Sequence, residues 1–219
     1  YRLETRGLSK IFPGVVALNN VSIGFGSGEV HGIVGENGAG KSTLIMTLAG
    51  QYKPDEGEIR IDGEKIVFKN AQEAQANGIS VVFQELSLVP NLSIAENIFA
   101  NNQPMTKLGM VDWKKLWKMG EELLQSLQLD LNPHTPVQML SSAKQQLVEI
   151  LKAVSLKPRV LVLDEPTSSM TEFEIEKLFS LIRQLKDEGC TIIYISHHLK
   201  EILTLCDTVS ILKDGCHVC

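Results

Sequence analysis

Residues 35–43, Gly35-Glu36-Asn37-Gly38-Ala39-Gly40-Lys41-Ser42-Thr43, satisfy the pattern G-x-x-x-x-G-K-[ST] at every constrained position. Each residue type answers a chemical need. Glycines let consecutive backbone N–H groups curl around a phosphate, and a helix opening at the end of the loop adds the positive end of its dipole. The Lys41 ammonium suits the outer phosphates, and the Ser42 hydroxyl suits Mg²⁺. A second element, Val160-Leu161-Val162-Leu163-Asp164-Glu165-Pro166, is an apolar run that delivers two adjacent carboxylates. Asp164 is expected to hold Mg²⁺ and Glu165 to polarise an attacking water. A glycine-rich turn or an acidic helix cap would account for either element alone, but not for both in their proper settings. No Asn-Lys-x-Asp is present, so the usual guanine-reading element is missing and adenine is favoured.

Such groups must be held by a scaffold, and the surrounding pattern predicts an α/β one. The short, largely branched runs 30–34, 79–83, 160–163 and 191–195 read as strands buried on both faces of a parallel sheet. Ser93 with Glu96, and Thr171 with Glu174, have capping-box spacing and predict helix starts. Behind the second, Ile175, Leu178, Phe179, Ile182 and Leu185 recur at helical spacing. Behind Asp112, so do Trp113, Leu116, Trp117, Leu123, Leu124 and Leu127; both stripes are expected to be core faces. Residues 54–67 read as an antiparallel hairpin. Strand–helix alternation lapses between about residues 85 and 155, which predicts a helical insertion within one domain rather than two domains.

Composition sets the remaining bounds. With 43% apolar residues the chain can bury a core without disulfides. Its 21 basic and 26 acidic residues give a formal net charge of -5, which argues against a polyanion-coating protein. No apolar run approaches a membrane span and no signal peptide opens the chain, so a soluble protein of a reducing compartment is expected. Cys216-His217-Val218-Cys219 is read as strand or turn, because positions three apart on a strand point to opposite faces. Cys190 and Cys206 read as small buried apolar groups, and His31 as structural.

Taken in order, these residues resemble the ATP-binding-cassette (ABC) ATPases over the whole chain. Four further stations carry the resemblance. Phe12 stands where that family places an aromatic against adenine. Gln84, after Val81-Val82-Phe83, is similar to the glutamine that senses Mg²⁺ and faces the membrane partner. Ser168-Ser169-Met170-Thr171 resembles the segment that the family usually closes with Asp, and His197, after Tyr194-Ile195-Ser196, resembles the switch histidine of the γ-phosphate. The signature, usually Leu-Ser-Gly-Gly-Gln, departs: it reads Leu140-Ser141-Ser142-Ala143-Lys144. Ser141 keeps the oxygen, and Ser142 and Ala143 keep small neighbours, but Lys144 puts a cation where an amide is usual.

Leu-Ser-x-Ala followed by Gln145-Gln146, with Phe12-Pro13-Gly14-Val15 and Gln84-Glu85-Leu86, resembles the first cassette of tandem bacterial importers of ribose, galactose, xylose and arabinose. The resemblance implies a P-loop NTPase (RecA-like) core with an antiparallel β subdomain, residues 1–84 and 156–219, and a helical subdomain carrying the signature, 85–155. It implies ATP and Mg²⁺ as the bound species. Phe12, residues 35–43 and Ser141 would bind ATP, Ser141 reaching the ATP of a partner cassette. Ser42, Gln84 and Asp164 would serve the metal, and Glu165, His197 and Gln84 catalysis. The implied partners are a second cassette in a longer two-cassette chain, transmembrane permease subunits and, indirectly, a sugar-binding protein, with no nucleic acid. The implied place is the cytoplasmic face of the bacterial membrane. A soluble ABC ATPase unconnected with transport, and a cassette that binds ATP with little turnover, are the alternatives.

Overall fold

The computed structural model describes residues 1–219. The chain divides into two compact units, one of Tyr1–Phe83, Pro158–Pro166 and Ile182–Cys219, the other of Gln84–Lys157 and Thr167–Leu181. In chain order the elements are β1 (Leu3–Phe12), β2 (Val15–Phe25), β3 (Val30–Val34), α1 (Lys41–Leu48), β4 (Glu56–Ile61), β5 (Glu64–Ile66), α2 (Ala71–Ala76) and β6 (Ile79–Val82). Helices α3 (Ile94–Ile98), α4 (Trp113–Ser126) and α5 (Ser142–Val154) follow, then β7 (Val160–Asp164) and α6 (Glu172–Asp187). The chain closes with β8 (Thr191–Ile195), α7 (Leu199–Leu205), β9 (Thr208–Lys213) and β10 (Cys216–His217). None of these helices is long and apolar enough to cross a membrane.

The first unit holds two sheets. The larger has the order β10-β9-β3-β8-β7-β6, parallel throughout except for β10. Every residue of β8 is buried, as expected for a strand covered on both faces. The smaller sheet, β2-β1-β4-β5, is antiparallel. The hairpin expected at 54–67 is its β4–β5 edge, whereas its two longest strands carry no clear period-two pattern. Their pairing slips between Thr5 and Leu8, again before Lys10 and again before Ile11. Bulges of that kind reset which face a side chain takes, so alternation fails in the sequence although the strands are long.

Helix α1 follows directly on the glycine-rich loop. It starts at Lys41, earlier than the apolar run 44–48 alone suggests, so Lys41 and Ser42 occupy its first turn. Leu44, Ile45 and Leu48 are sealed in one cluster with Leu3, Phe25 and Ile59 of the small sheet and Ile193 and Ile195 of the large one. A short helix apolar on several faces is stable only in such a setting. Strand β6 ends at Val82, one residue short of the run 79–83.

In the second unit, the expected caps form at both helix starts. Ser93 and Glu96 make a reciprocal capping box on α3, and Thr171 exchanges hydrogen bonds with Glu174 at the start of α6. Gly120 sits in mid-helix because a Cβ there would come within 2.9 Å of the Ala95 Cβ. The stripe on α4 needs correction. Leu116, Gly120 and Leu124 are buried, but Trp113 is 49% exposed and Trp117 and Leu123 only partly covered. Periodicity locates the flank of a helix; it does not say how far neighbours reach around it.

Truncating Leu48 to Ala should cost about 2–5 kcal/mol, because both sheets hem the site and it cannot collapse. Urea unfolding should show a lower midpoint with an unchanged slope; a loss within error would mean that α1 does not tie the sheets.

Candidate functional site

The site is built on the carboxyl edges of three adjacent strands. Strand β8 lies between β3 and β7, and the register sets Ile33 beside Ile195 and Ile195 beside Asp164. The residues just past each strand therefore emerge at one height, with neighbouring strands about 4.8 Å apart. They are the glycine-rich loop after β3, Glu165 after β7 and Ser196-His197 after β8. This is the edge at which open α/β sheets take ligands.

The loop is shaped by packing as much as by purpose. A Cβ on Gly35 would stand 2.4 Å from the Leu212 carbonyl oxygen, and one on Gly40 2.6 Å from that of Ala17. Gly40 also has φ 102°, the left-handed region that favours glycine. Ala39 is buried and belongs to the core, whereas Glu36, Asn37, Gly38 and Ser42 are exposed. The Lys41 ammonium donates to the carbonyls of Gly35 at 2.7 Å and Glu36 at 3.0 Å, spanning the loop it closes. No side chain caps the start of α1, and no acid lies in its first turn. Its leading N–H groups therefore have no side-chain acceptor, the condition under which a helix N-terminus suits an anion.

Opposite charge gathers one strand beyond β8. Burial raises the Asp164 pKa, the Glu165 charge raises it further, and Lys41 partly opposes both. The two neighbouring carboxylates, one partly desolvated, and the Ser42 hydroxyl are oxygen groups of the kind that Mg²⁺ takes as ligands. Glu165 adopts φ 47°, a left-handed conformation that costs a side-chain-bearing residue about 1 kcal/mol or more. Its N–H continues the ladder by donating to the Ile195 carbonyl at 2.9 Å. The resulting turn brings Glu165 Oε1 to 3.2 Å from His197 Nδ1. The acid expected to orient water and the expected switch histidine are thus direct partners in this structure, and His197 remains largely exposed.

Behind them lies a group that sequence reasoning missed. The Glu201 carboxylate accepts from Tyr194 Oη at 2.8 Å and Ser196 Oγ at 2.7 Å. Ser196 Oγ in turn accepts from the His198 N–H at 3.0 Å. The network pins the turn that carries His197 from both sides. Its only trace in the sequence is an acid four residues past His197 on a helix.

Phe12 ends β1 and meets Tyr52 edge-on, with ring centroids 5.3 Å apart. Lys10 Nζ lies 5.5 Å from the Phe12 ring centroid. Asp55 accepts from the Ile11 N–H at 2.7 Å and from Lys10 at 3.1 Å, and those bonds hold its pKa low. Tyr52 had no motif to announce it. Gln84 and Ser141 belong to the second unit. Gln84 is exposed just past β6. Ser141 caps α5, its hydroxyl accepting from the Lys144 N–H at 3.4 Å, and Lys144 points to solvent. Thr171, found where an Asp is usual, performs the helix-capping task that either side chain can do.

The histidines and cysteines set apart in the sequence have other surroundings. His31 lies between Glu29, at 3.0 Å, and Ser210, at 2.9 Å, and burial lowers its pKa. Cys190 is buried and its thiol is pushed up to about 11. Cys206 is only partly buried, its thiol pushed up to about 12 by desolvation. Cys216 and His217 form the short edge strand β10.

Comparison with known proteins adds the lineage. Residues 18–168 match the family model described as ABC transporter. The ribose import ATP-binding protein RbsA 1 of Streptomyces avermitilis is 47% identical over 97% of this chain and 41% of its own length. The arabinose import ATP-binding protein AraG of Vibrio parahaemolyticus is 47% identical over 99% of this chain and 42% of its own. The galactose/methyl galactoside import ATP-binding protein MglA of Clostridium tetani is 48% identical over 99% and 44%. The chain thus spans less than half the length of these relatives. Among solved structures, a nucleotide-free ATP-binding cassette from an ABC transporter superposes with a TM-score of 0.87 at 27% identity, over 99% of this chain and 89% of that one. An ADP-bound cassette superposes at 0.86 with 28% identity over the same shares.

Two outcomes follow from the site's electrostatics. A carboxyl whose pKa is raised on folding is destabilising above that raised value, and the penalty fades as pH falls through it. Asp164→Asn should therefore raise the Tm of the nucleotide-free chain at neutral pH, by a margin that shrinks in acid. A fall in Tm would mean that attraction to Lys41 outweighs burial. Glu201→Ala leaves two buried hydroxyls short of an acceptor and should cost about 1–3 kcal/mol in denaturant unfolding.

Proposed function

Since this chain belongs to the ABC transporter family, we propose that it is the first ATP-hydrolysing cassette of a bacterial importer for a monosaccharide. One observation carries the hydrolytic part: the glycine-rich loop, Asp164 and the Glu165–His197 pair share the carboxyl edge of β3, β8 and β7. Sugar import is supported by relatives whose names specify ribose, arabinose and galactose import.

The chain's own groups divide the work. The loop amides and the α1 N-terminus hold the phosphates, and Lys41 exchanges loop carbonyls for phosphate oxygens. Ser42 and Asp164, with Gln84, would hold Mg²⁺, which neutralises charge developing on the transferred group. Glu165 orients and polarises a water while its partner His197 donates toward the γ-phosphate. Phe12, with Tyr52 beside it, supplies an aromatic seat for adenine.

The wider assembly belongs to the same proposal. Ser141 serves the ATP of a second cassette paired head to tail, encoded in the same longer chain. Permease subunits receive the motion, a sugar-binding protein delivers cargo to them, and the cassette works at the cytoplasmic face of the membrane. Lys144 favours a second reading, a cassette that binds ATP and hydrolyses it slowly.

Glu165→Gln should keep ATP affinity while turnover falls by about 10²–10⁴-fold; unchanged turnover would remove Glu165 from its role. Specific activity of the wild type should rise with protein concentration as cassettes pair. A flat, near-zero rate would favour the binding-only reading.

A further inference from the structure

One surface of the second unit is left over by everything above. Residues 104–111 form a tight hairpin that leads straight into α4. Met105 and Val111 pair as an isolated bridge. The Thr106 N–H donates to the Met110 carbonyl at 2.7 Å, the Gly109 N–H to Thr106 at 3.0 Å, and the Asp112 N–H to Pro104 at 2.7 Å. The tip so fixed projects apolar side chains into solvent: Leu108 is 83% exposed, Met110 61% and Met105 57%. Trp113 continues the apolar surface on the helix. It stacks on Trp117 with ring centroids 5.9 Å apart, and Trp117 packs on His134 at 4.2 Å.

The same stretch is basic. Residues 104–118 contain four lysines, Lys107, Lys114, Lys115 and Lys118, against a single acid, Asp112, on a chain whose net charge is -5. That acid is engaged as the cap of α4, accepting from the Lys115 N–H at 3.0 Å. Lys114 and Lys118 lie about 160° around the helix from the buried Leu116, on its outward side. All four lysines are exposed, and Lys118 pairs with Glu122 one turn on at 3.6 Å, which leaves Lys107, Lys114 and Lys115 as the cations nearest the tip. An exposed apolar tip, tryptophans on the helix behind it and nearby lysines make a graded surface. It matches the interface of an anionic bilayer, which takes apolar side chains at depth, indoles at headgroup level and ammonium groups at its phosphates.

We propose that this hairpin and the first turns of α4 bind directly to an anionic lipid surface. The proposal goes beyond the transport reading and is independent of it, since neither a permease nor nucleotide is required. Charge complementarity selects the lipid: an acidic chain is repelled by an anionic membrane everywhere except at such a patch. Electrostatic attraction would bring the patch in, and Leu108 and Met110 would then anchor it.

The chain contains only two tryptophans, and both lie here, so tryptophan emission excited at wavelengths that tyrosine does not absorb reports on this surface alone. With vesicles of phosphatidylglycerol and phosphatidylethanolamine in equal parts, tryptophan emission should shift to the blue and be shielded from iodide. Phosphatidylcholine vesicles should do neither, and high salt should weaken binding. Replacing Lys107, Lys114 and Lys115 together by Gln should weaken partitioning roughly a hundred-fold, at about one kcal/mol per lysine. Leu108→Ser with Met110→Ser should leave a salt-sensitive attraction without the blue shift. Both variants should keep the wild-type Tm and ATP turnover. Wild-type fluorescence that ignores anionic vesicles overturns the proposal even if a variant fails to fold. So does a triple variant that binds as well as wild type. Binding confined to vesicles that carry a permease also overturns it, in favour of a protein partner.

Discussion

The shared register of β3, β8 and β7 is the constraint on which the rest depends. Parallel strands buried on both faces have no polar face to trade, and each backbone N–H and C=O must find its partner along the ladder. Slipping one strand by a residue would turn its side chains to the opposite layer. With Ile33, Ile195 and Asp164 level, the three chain segments that leave this edge have no freedom in height. Phosphate loop, acid pair and histidine are thus aligned by backbone pairing before any side-chain interaction among them is considered.

Onto that edge the protein concentrates unfavourable local choices. Glu165 takes a left-handed backbone conformation, Asp164 keeps a carboxylate partly out of water beside a second one, and α1 begins without a side-chain cap. Each of these is a local cost to the fold, and each would suit the polyphosphate and metal proposed for this edge. The offsetting stability comes from close by. Leu44, Ile45 and Leu48 clamp the loop's helix into a core shared by two sheets, and Glu201 ties Tyr194 and Ser196 behind the histidine.

Much of this was legible because local function demands contiguous residue types. A phosphate cradle needs glycines, a lysine and a hydroxyl within one loop, and a cap needs its oxygen and acid three residues apart. The loop at 35–43, the acids at 164 and 165 and the caps at Ser93 and Thr171 could therefore be read directly. Strands β1 and β2 could not, since bulges destroy the alternation by which a strand is recognised. Trp113 was misjudged for a related reason: a helical stripe implies a covered flank, and how much of it is covered depends on what packs there. Tyr52 and Glu201 had no motif at all, because each matters through a partner distant in sequence or on another element.

By itself, the amino-acid order determined the chemistry this protein can hold: which residues can wrap phosphate, carry Mg²⁺ and polarise water, and the α/β alternation that must present them. Only the tertiary structure decided how those groups meet. It paired Glu165 with His197, placed the carboxyl of Glu201 behind the histidine turn and left an apolar hairpin and Trp113 exposed beside several lysines. The division has a physical cause. Residue type and short-range spacing act through local backbone geometry, which the sequence spells out. Partnership and exposure depend on strand order and on packing between separate elements, and these are set only when the whole chain closes around its core.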